Sequence, residues 1–218
     1  TAIHLAETRL TDIINQHEYV FRSITTFGKQ YIKERMQLPA DSVVQVAIQL
    51  AHFALYGHPI STLEPVTTRK FRDARTEPVA TQSEALLELC RTFITGKSNE
   101  VKWTLFLKAV KEHRDKVRGA SDGKGFERHL SALRAAFINF DLLNKLHPDL
   151  PHIDGSRIPV FLFDAEVDKL YGPEMLAANC GNSALHMFGI TPSISTGFGI
   201  GYIIKDASIS FVASSQWR

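Results

Sequence analysis

The feature that most constrains this chain is a run from Val43 to Leu55 that is apolar on nearly every side. It follows Pro39 and Asp41, a pair that indicates a helix start with Asp41 as the N-cap. A helix on a protein surface keeps a wide face of charged and polar residues, and this run contains no Lys, Arg, Asp or Glu. We therefore expect a helix buried on most sides, inside a domain larger than a small bundle.

The chain is long enough for such a domain, with 218 residues, of which 44% are hydrophobic and 22% charged. The 25 basic residues against 23 acidic ones leave too small a surplus for a phosphate-tracking surface, which disfavours nucleic acid. Cys90 and Cys180 lack metal-ligand or CxxC spacing, so we expect no disulfide framework, no metal ion and an intracellular location. No stretch approaches the ~18 consecutive apolar residues of a membrane span, and we expect none.

Hydrophobic periodicity predicts helices and strands in an order without regular alternation. Helices are expected at 1–18, 83–95, 100–117 and 126–146, strands at 19–27, 160–163, 198–204 and 208–212, and a short strand with a structured loop at 59–80. Phe93, Trp103 and Phe126 are expected to face inward from three of the helices. The order predicts an α/β fold with a mixed sheet flanked by helices.

A glycine run, GFGIG at 197–201, could suggest a phosphate-binding loop. No helical pattern follows it, and the N-terminus of a helix is half of that mechanism. We interpret the run as a glycine-kinked strand.

Five segments, at 27–33, 41–51, 62–77, 126–130 and 197–202, resemble the carnitine/choline acyltransferase family in order and spacing. In that order, the segments contain FGK and IK; D and QVAIQLA; TLE, TRKF and ARTE; FERHL; and GFGIGY. The resemblance covers almost the whole chain. It implies a two-lobed fold like that of chloramphenicol acetyltransferase, with 1–218 as most of the C-terminal lobe. We expect a leading helix at 1–18, a strand and helical part at 19–158, and a truncated β-rich part at 159–218.

The resemblance also implies an activity, the transfer of a short acyl group between CoA and the hydroxyl of carnitine. CoA or acyl-CoA would be a substrate, no cofactor would be permanently bound, and the N-terminal lobe of the same protein would be a partner. The catalytic histidine of the family lies upstream of the matched region, so this segment alone is expected to be inactive. His113, His129, His147 and His152 show no recognisable orienting partner and are interpreted as structural or surface residues.

On the CoA side, the resemblance implies contacts from Lys29, Lys33, Asp41 and Arg114. Two ammonium groups four residues apart can converge on a phosphate. The stretch between Lys33 and Asp41 is one residue longer than the family pattern, and solvated surface charges remain the alternative.

On the carnitine side, Thr76 and Arg128 match a threonine and an arginine that hold the carnitine carboxylate in the family. A guanidinium can make paired charge-assisted bonds to a carboxylate, which favours carnitine over choline. The tyrosine position of that site is Leu63 and the serine position is Pro65, and both lose a hydroxyl group.

Counting back from Gly197, the family's Ser-Thr-Ser motif falls on Leu176-Ala177-Ala178, so its oxyanion donor is missing. The amide of Asn179 is a possible substitute. Other candidates, if the alignment is shifted, are Ser183, Ser193, Ser195 and Thr196.

Phe188 falls where the family sets the depth of its acyl tunnel, and a phenyl ring there predicts a preference for short acyl chains. Two other functions remain open: transfer from a carrier protein or CoA to a polyol or another alcohol in a larger synthase, and a catalytically impaired CoA-binding scaffold. Mitochondria, peroxisomes and cytosol are all possible compartments.

Overall fold

The computed structural model describes residues 2–157, 159–182 and 184–216. Its strands are β1 (His17–Ile24), β2 (Thr62–Thr67), β3 (Thr76–Ala80), β4 (Met175–Asn179), β5 (Phe198–Ile204) and β6 (Ile209–Gln216). They form a six-stranded sheet in the order β1-β6-β5-β4-β2-β3. Strand β4 runs parallel to both β5 and β2, and the other three pairs, β1–β6, β5–β6 and β2–β3, are antiparallel. The predicted mixed sheet is therefore confirmed.

The helices lie between and beside these strands. They are α1 (Ala2–Gln16), α2 (Lys29–Tyr31), α3 (Ala40–Tyr56), α4 (Glu84–Ile94), α5 (Asn99–Gly119), α6 (Glu127–Ile138), α7 (Phe140–Leu146) and α8 (Ala165–Asp168). A π-helical turn extends α2 over Ile32–Met36, and another extends α5 over Ala120–Lys124.

Helix α3 is the centre of the core, as the apolar run predicts. Its buried side chains form one cluster with those of α4 and α5 and with Met175, Ala177 and Tyr202 of the sheet. The helix starts earlier than predicted, because Pro39 is the N-cap and Asp41 lies in the first turn. A position in the first turn leaves the Asp41 side chain free to reach the neighbouring strands.

Several sequence predictions are wrong in detail. The region 59–80 forms a hairpin of β2 and β3, and 160–163 is a 3-10 turn rather than a strand. The predicted helix 126–146 is two helices, α6 and α7, which meet at Asn139. Strand β4 was not predicted, because MLAAN is short and apolar without alternation.

The prediction of inward-facing side chains is also partly wrong, since Phe93, Trp103 and Phe126 are exposed. Helix α1 ends at Gln16, two residues earlier than predicted, and none of its described residues is buried.

Within the described residues, no single helix has the length and apolar character to cross a membrane. The segments Lys29–Met36 and Ala40–Tyr56 meet that test only when taken together, and they are bent by 102°.

The glycines of β5 allow another segment of backbone to lie directly on the strand. A Cβ at Gly201 would lie 2.0 Å from the carbonyl oxygen of Phe188, and one at Gly199 would lie 2.1 Å from that of Ile190. The prediction of a strand with structural glycines is confirmed, and its physical reason is the close passage of residues 188–190.

Replacing Gly201 with alanine should destabilise the protein by about 1–3 kcal/mol, because the obstructing atom belongs to the backbone and cannot rotate away. Gly119→Ala is the matched control, since it lies in α5 with open space around the added methyl group. The control should be neutral or stabilising by up to about 1 kcal/mol. Denaturant unfolding of both variants tests this, and equal midpoints would contradict it.

Candidate functional site

A cleft of about 1080 Å³ lies beside the β2–β3 hairpin and the end of β4. It is lined by Pro65, Thr67, Arg69, Arg75, Thr76, Ala178, Asn179, Cys180, Gly181, Asn182 and Phe188. The cleft brings together Thr76, Asn179 and Phe188. These residues are distant in sequence, and the sequence predicts different roles for them. The cleft is lined by both cationic and apolar side chains, so it can accept an anionic ligand with an apolar part.

Alternation along β2 sets which residues reach the cleft. Pro65 and Thr67 line it, and Leu63 shares their face of the strand by the two-residue period. Glu64 points to the opposite face and is buried. One strand therefore contributes to the cleft with one face and to the core with the other.

Arg128 lies beside the cleft and is bonded to Thr76. Its Nη2 donates to Thr76 Oγ1 at 3.3 Å and its Nε donates to the Thr76 carbonyl at 3.2 Å. The start of α6 is fixed from the same strand, because Glu77 Oε1 accepts from the backbone N–H groups of Glu127 and Arg128. The structure thus brings together the two residues predicted to bind a carboxylate.

Asn179 sits at the end of β4 and is held from behind by α3. Its Nδ2 donates to Asp41 Oδ1 at 3.0 Å, and the Tyr202 hydroxyl donates to the same oxygen at 2.9 Å. Tyr202 in turn accepts from Gln45 Nε2 at 3.0 Å. The Tyr202 ring is fully buried, so this chain of bonds anchors the edge of the cleft in the core.

A second buried pair lies under β2. His113 of α5 and Glu64 are joined at 2.8 Å between Nε2 and Oε2, and His113 Nδ1 lies 3.0 Å from Ser42 Oγ. The prediction that His113 lacks an orienting partner is wrong, although its interpretation as a structural residue stands. Its partner Glu64 is 49 residues away, and only folding brings the two together.

Burial favours the neutral forms of both groups. It raises the pKa of Glu64 to about 10, with the charge of Asp41 and a hydrogen bond to it adding to the effect. Burial lowers the pKa of His113 to about 4, against the attraction of Asp41. Burial also raises the pKa of Tyr202 well above its usual value, with Asp41 and Glu64 adding to it, so the hydroxyl keeps its proton.

The residues predicted to contact CoA lie outside the cleft lining. Lys29 Nζ pairs with Asp206 at 3.2 Å, and Arg114 bonds the neighbouring Asp115. Lys33 is exposed on the π-helical turn after α2. Asp41 differs from these three, because its carboxylate faces β4 and β5. The CoA role of all four stays a prediction.

Three residues occupy the position of the missing hydroxyl motif. Ala178 lines the cleft, Ala177 is fully buried with its carbonyl accepting from Gln45, and Leu176 pairs in register with Leu63. Ser183 lies outside the described residues. Ser193, Ser195 and Thr196 precede β5 in a loop and are exposed.

An apolar groove of about 320 Å³ lies between α3 and the strands β5 and β6. Its lining includes Ile48, Ala51, Met175, Ile200 and Phe211. His52 is a polar member of this lining, and burial lowers its pKa. The groove suits a hydrocarbon rather than a charged group.

The buried hydrogen bonds of Glu64, His113 and Tyr202 are what the sequence does not predict. Glu64 and His113 offered one signal, a charged group at an inward position of a strand or helix pattern. Neither pattern identifies a partner, so the network could not be assembled from sequence.

Comparison with known proteins gives one family for the whole chain. The family model described as choline/carnitine O-acyltransferase matches residues 1–218. Carnitine O-acetyltransferase YAT2 of Saccharomyces cerevisiae is 40% identical over all of this chain, which covers 23% of that protein. Human mitochondrial carnitine O-palmitoyltransferase 2 is 27% identical over 86% of the chain and is covered over 27% of its length.

The putative mitochondrial carnitine O-acetyltransferase of the same yeast is 33% identical and covered over 30% of its length. The chain thus spans less than a third of the relatives it matches. Among solved structures, a chloramphenicol acetyltransferase aligns over 92% of this chain and 79% of its own, with 8% identity and a TM-score of 0.43.

The chain belongs to the choline/carnitine O-acyltransferase family, and the resemblance seen in its motifs is confirmed.

The buried pair predicts a specific dependence of stability on pH. In the folded protein, the pair holds one proton between about pH 4 and pH 10. In the unfolded chain, Glu64 loses its proton near pH 4.5 and His113 near pH 6.5, the ordinary pKa values of these groups. Between pH 4.5 and pH 6.5 the folded and unfolded states hold the same number of protons, so the free energy of unfolding does not change with pH there. Above pH 6.5 the folded state holds one proton more, and stability falls by up to about 1.4 kcal/mol per pH unit.

Glu64→Gln should remove this decline between pH 7 and pH 9, because glutamine mimics the neutral acid and has no proton to lose. Below pH 6.5 the variant should lose stability, because its unfolded state gains the His113 proton and its folded state does not. Wild type should lose stability only below about pH 4.5. Unfolding free energies measured across the range test this, with Glu88→Gln, an exposed glutamate of α4, as control. Parallel slopes for wild type and Glu64→Gln above pH 7 would contradict it.

Proposed function

We propose that this protein transfers a short acyl group between CoA and the hydroxyl of carnitine. The observation that carries the proposal is the contact between Arg128 and Thr76 beside the cleft. Family membership supports the reaction class, and two yeast relatives carry the name carnitine O-acetyltransferase.

The Arg128 guanidinium is suited to a carboxylate ligand. Its contacts with Thr76 fix the plane of the group, while its side chain is 58% exposed and keeps N–H donors for a ligand. A planar guanidinium bonds both oxygens of a carboxylate at once. Choline has no carboxylate, so this geometry favours carnitine.

The reaction requires a base that takes the proton from the carnitine hydroxyl as its oxygen attacks the thioester carbonyl. The C–S bond then breaks, and the proton passes to the sulfur of CoA. His113 does not serve, because it is buried and its pKa is about 4. We assign the base to a histidine of the family's upstream lobe, and the CoA phosphates to Lys29, Lys33 and Arg114.

Stabilising the oxyanion falls to the amide of Asn179 in this proposal. Asn179 is one of the residues that line the cleft, and Nδ2 carries two hydrogens, of which the bond to Asp41 uses one. The adjoining Ala178 offers no hydroxyl, so the amide takes the place of the lost donor.

A second candidate is transfer to a different alcohol, such as a polyol. Leu63 favours it, because an apolar side chain stands on the cleft face of β2 where the family has a tyrosine hydroxyl. Acceptor specificity separates the two, since only carnitine requires Arg128.

Arg128→Ala should raise the KM for carnitine at least tenfold, because the carboxylate loses its charged partner. Arg128→Lys should recover only part of the affinity, since an ammonium cannot bond both oxygens. Release of CoA from acetyl-CoA is measured with carnitine, choline and glycerol as parallel acceptors, and Arg9→Ala in exposed α1 is the control. Activity with glycerol alone, unaffected in Arg128→Ala, would support the second candidate.

Phe188→Gly should extend the preferred acyl chain, because Phe188 lines the cleft and its ring takes up volume there. The ratio of kcat/KM for octanoyl-CoA to that for acetyl-CoA should rise at least tenfold. Thermal unfolding of the variant shows whether the fold is kept. An unchanged ratio in a folded variant would remove Phe188 from the acyl site.

A further inference from the structure

The carboxylate of Asp41 makes hydrogen bonds to residues of two strands. It faces the sheet, where Oδ1 accepts hydrogen bonds from Asn179 and Tyr202. We propose that Asp41 is a positioning residue that orients the Asn179 amide in the cleft. This inference rests on the proposed function for the role of Asn179, and it replaces the predicted CoA contact of Asp41.

The register of the sheet explains why one carboxylate reaches both partners. Asn179 of β4 and Tyr202 of β5 are directly paired in parallel register, so their side chains are neighbours at one end of the sheet. Asp41 in the first turn of α3 lies over this pair, at 3.0 Å from Nδ2 and 2.9 Å from the hydroxyl. One helix residue thus joins two strands.

Tyr202, which donates its hydroxyl hydrogen to Asp41, is itself held by the buried side chain of Gln45. Gln45 lies four residues later on the same face of α3 and donates to Tyr202 Oη at 3.0 Å and to the carbonyl of Ala177 at 3.3 Å. Gln45 and Tyr202 are both fully buried. Because these side chains cannot move without opening the core, Asp41 offers its oxygen at a fixed point.

A fixed acceptor sets the plane of the Asn179 amide. The terminal torsion of asparagine is soft, so an amide at an exposed strand end samples several orientations unless it is bonded. The bond to Asp41 uses one N–H and directs the second N–H and the amide carbonyl elsewhere. Preorganised donors of this kind lower a barrier more than mobile ones do. Asp41 itself is not assigned a contact with the reacting atoms.

A double-mutant cycle on the full-length protein tests the proposal. Asn179→Ala should lower kcat about 10²-fold, the usual cost of losing such a donor. Asp41→Ala should lower kcat to a similar extent, the double variant should be no more than threefold worse than either, and the KM for acetyl-CoA should stay within twofold. Independent, multiplying losses in kcat would overturn the proposal.

Calorimetric titration with CoA separates positioning from direct contact without relying on turnover. Asp41→Ala should bind CoA within twofold of wild type, as should the control Asp149→Ala, an exposed carboxylate outside the cleft lining. Binding of CoA weakened more than tenfold in Asp41→Ala alone would return Asp41 to the CoA site and overturn the proposal.

Tyr202→Phe is a gentler second variant, because it keeps the ring in the core and removes only the hydroxyl. It should lower kcat less than Asp41→Ala does, with the CoA affinity unchanged. A crystal structure of Asp41→Ala gives a readout independent of activity: a rotated or disordered Asn179 amide supports positioning, and an unchanged one overturns it. Absence of acyl transfer in wild type would defeat the proposed function and leave this structural result standing.

Discussion

The hydrogen bond between Glu64 and His113 is the constraint on which the rest of the structure depends. It joins β2 to α5 beneath the cleft, with both groups buried and 2.8 Å apart. The pair is neutral as a whole, whichever atom holds its proton, and a neutral pair avoids most of the cost of burying a charge. Removing one partner leaves the other unsatisfied in the core, so the two groups must be kept together.

Asp41 extends this buried polar region to the surface. Its charge acts on Glu64 and His113, and its side chain bonds Asn179 at the edge of the cleft. The floor of the cleft is therefore part of the core. Arg128 is held beside the cleft by Thr76 and by the capping of α6 from Glu77. Two attachments of different chemistry thus hold side chains at or beside the cleft.

The sequence was informative wherever a local pattern has one physical meaning. A long apolar run without Lys, Arg, Asp or Glu favours a buried helix, and α3 lies in the core. Glycines without a following helix indicated a strand, and Gly199 and Gly201 lie under the backbone of 188–190. Matching motifs predict that Thr76 and Arg128 share one site, and the two side chains are hydrogen-bonded in the structure. The family model confirms the family that these motifs indicate. Short apolar segments such as β4 gave no such signal.

By itself, the sequence determined the family, the mixed α/β class and the pairing of Thr76 with Arg128, because motifs and periodicity are properties of local chain order. Only the tertiary structure decided which polar groups are buried and with whom. The sequence indicates Asp41 as a helix cap and a CoA-contacting acid. In the structure it accepts hydrogen bonds from Asn179 and Tyr202, because these two residues are paired in register on β4 and β5. Partners separated by 138 and 161 positions are brought together by strand register, which no local pattern encodes.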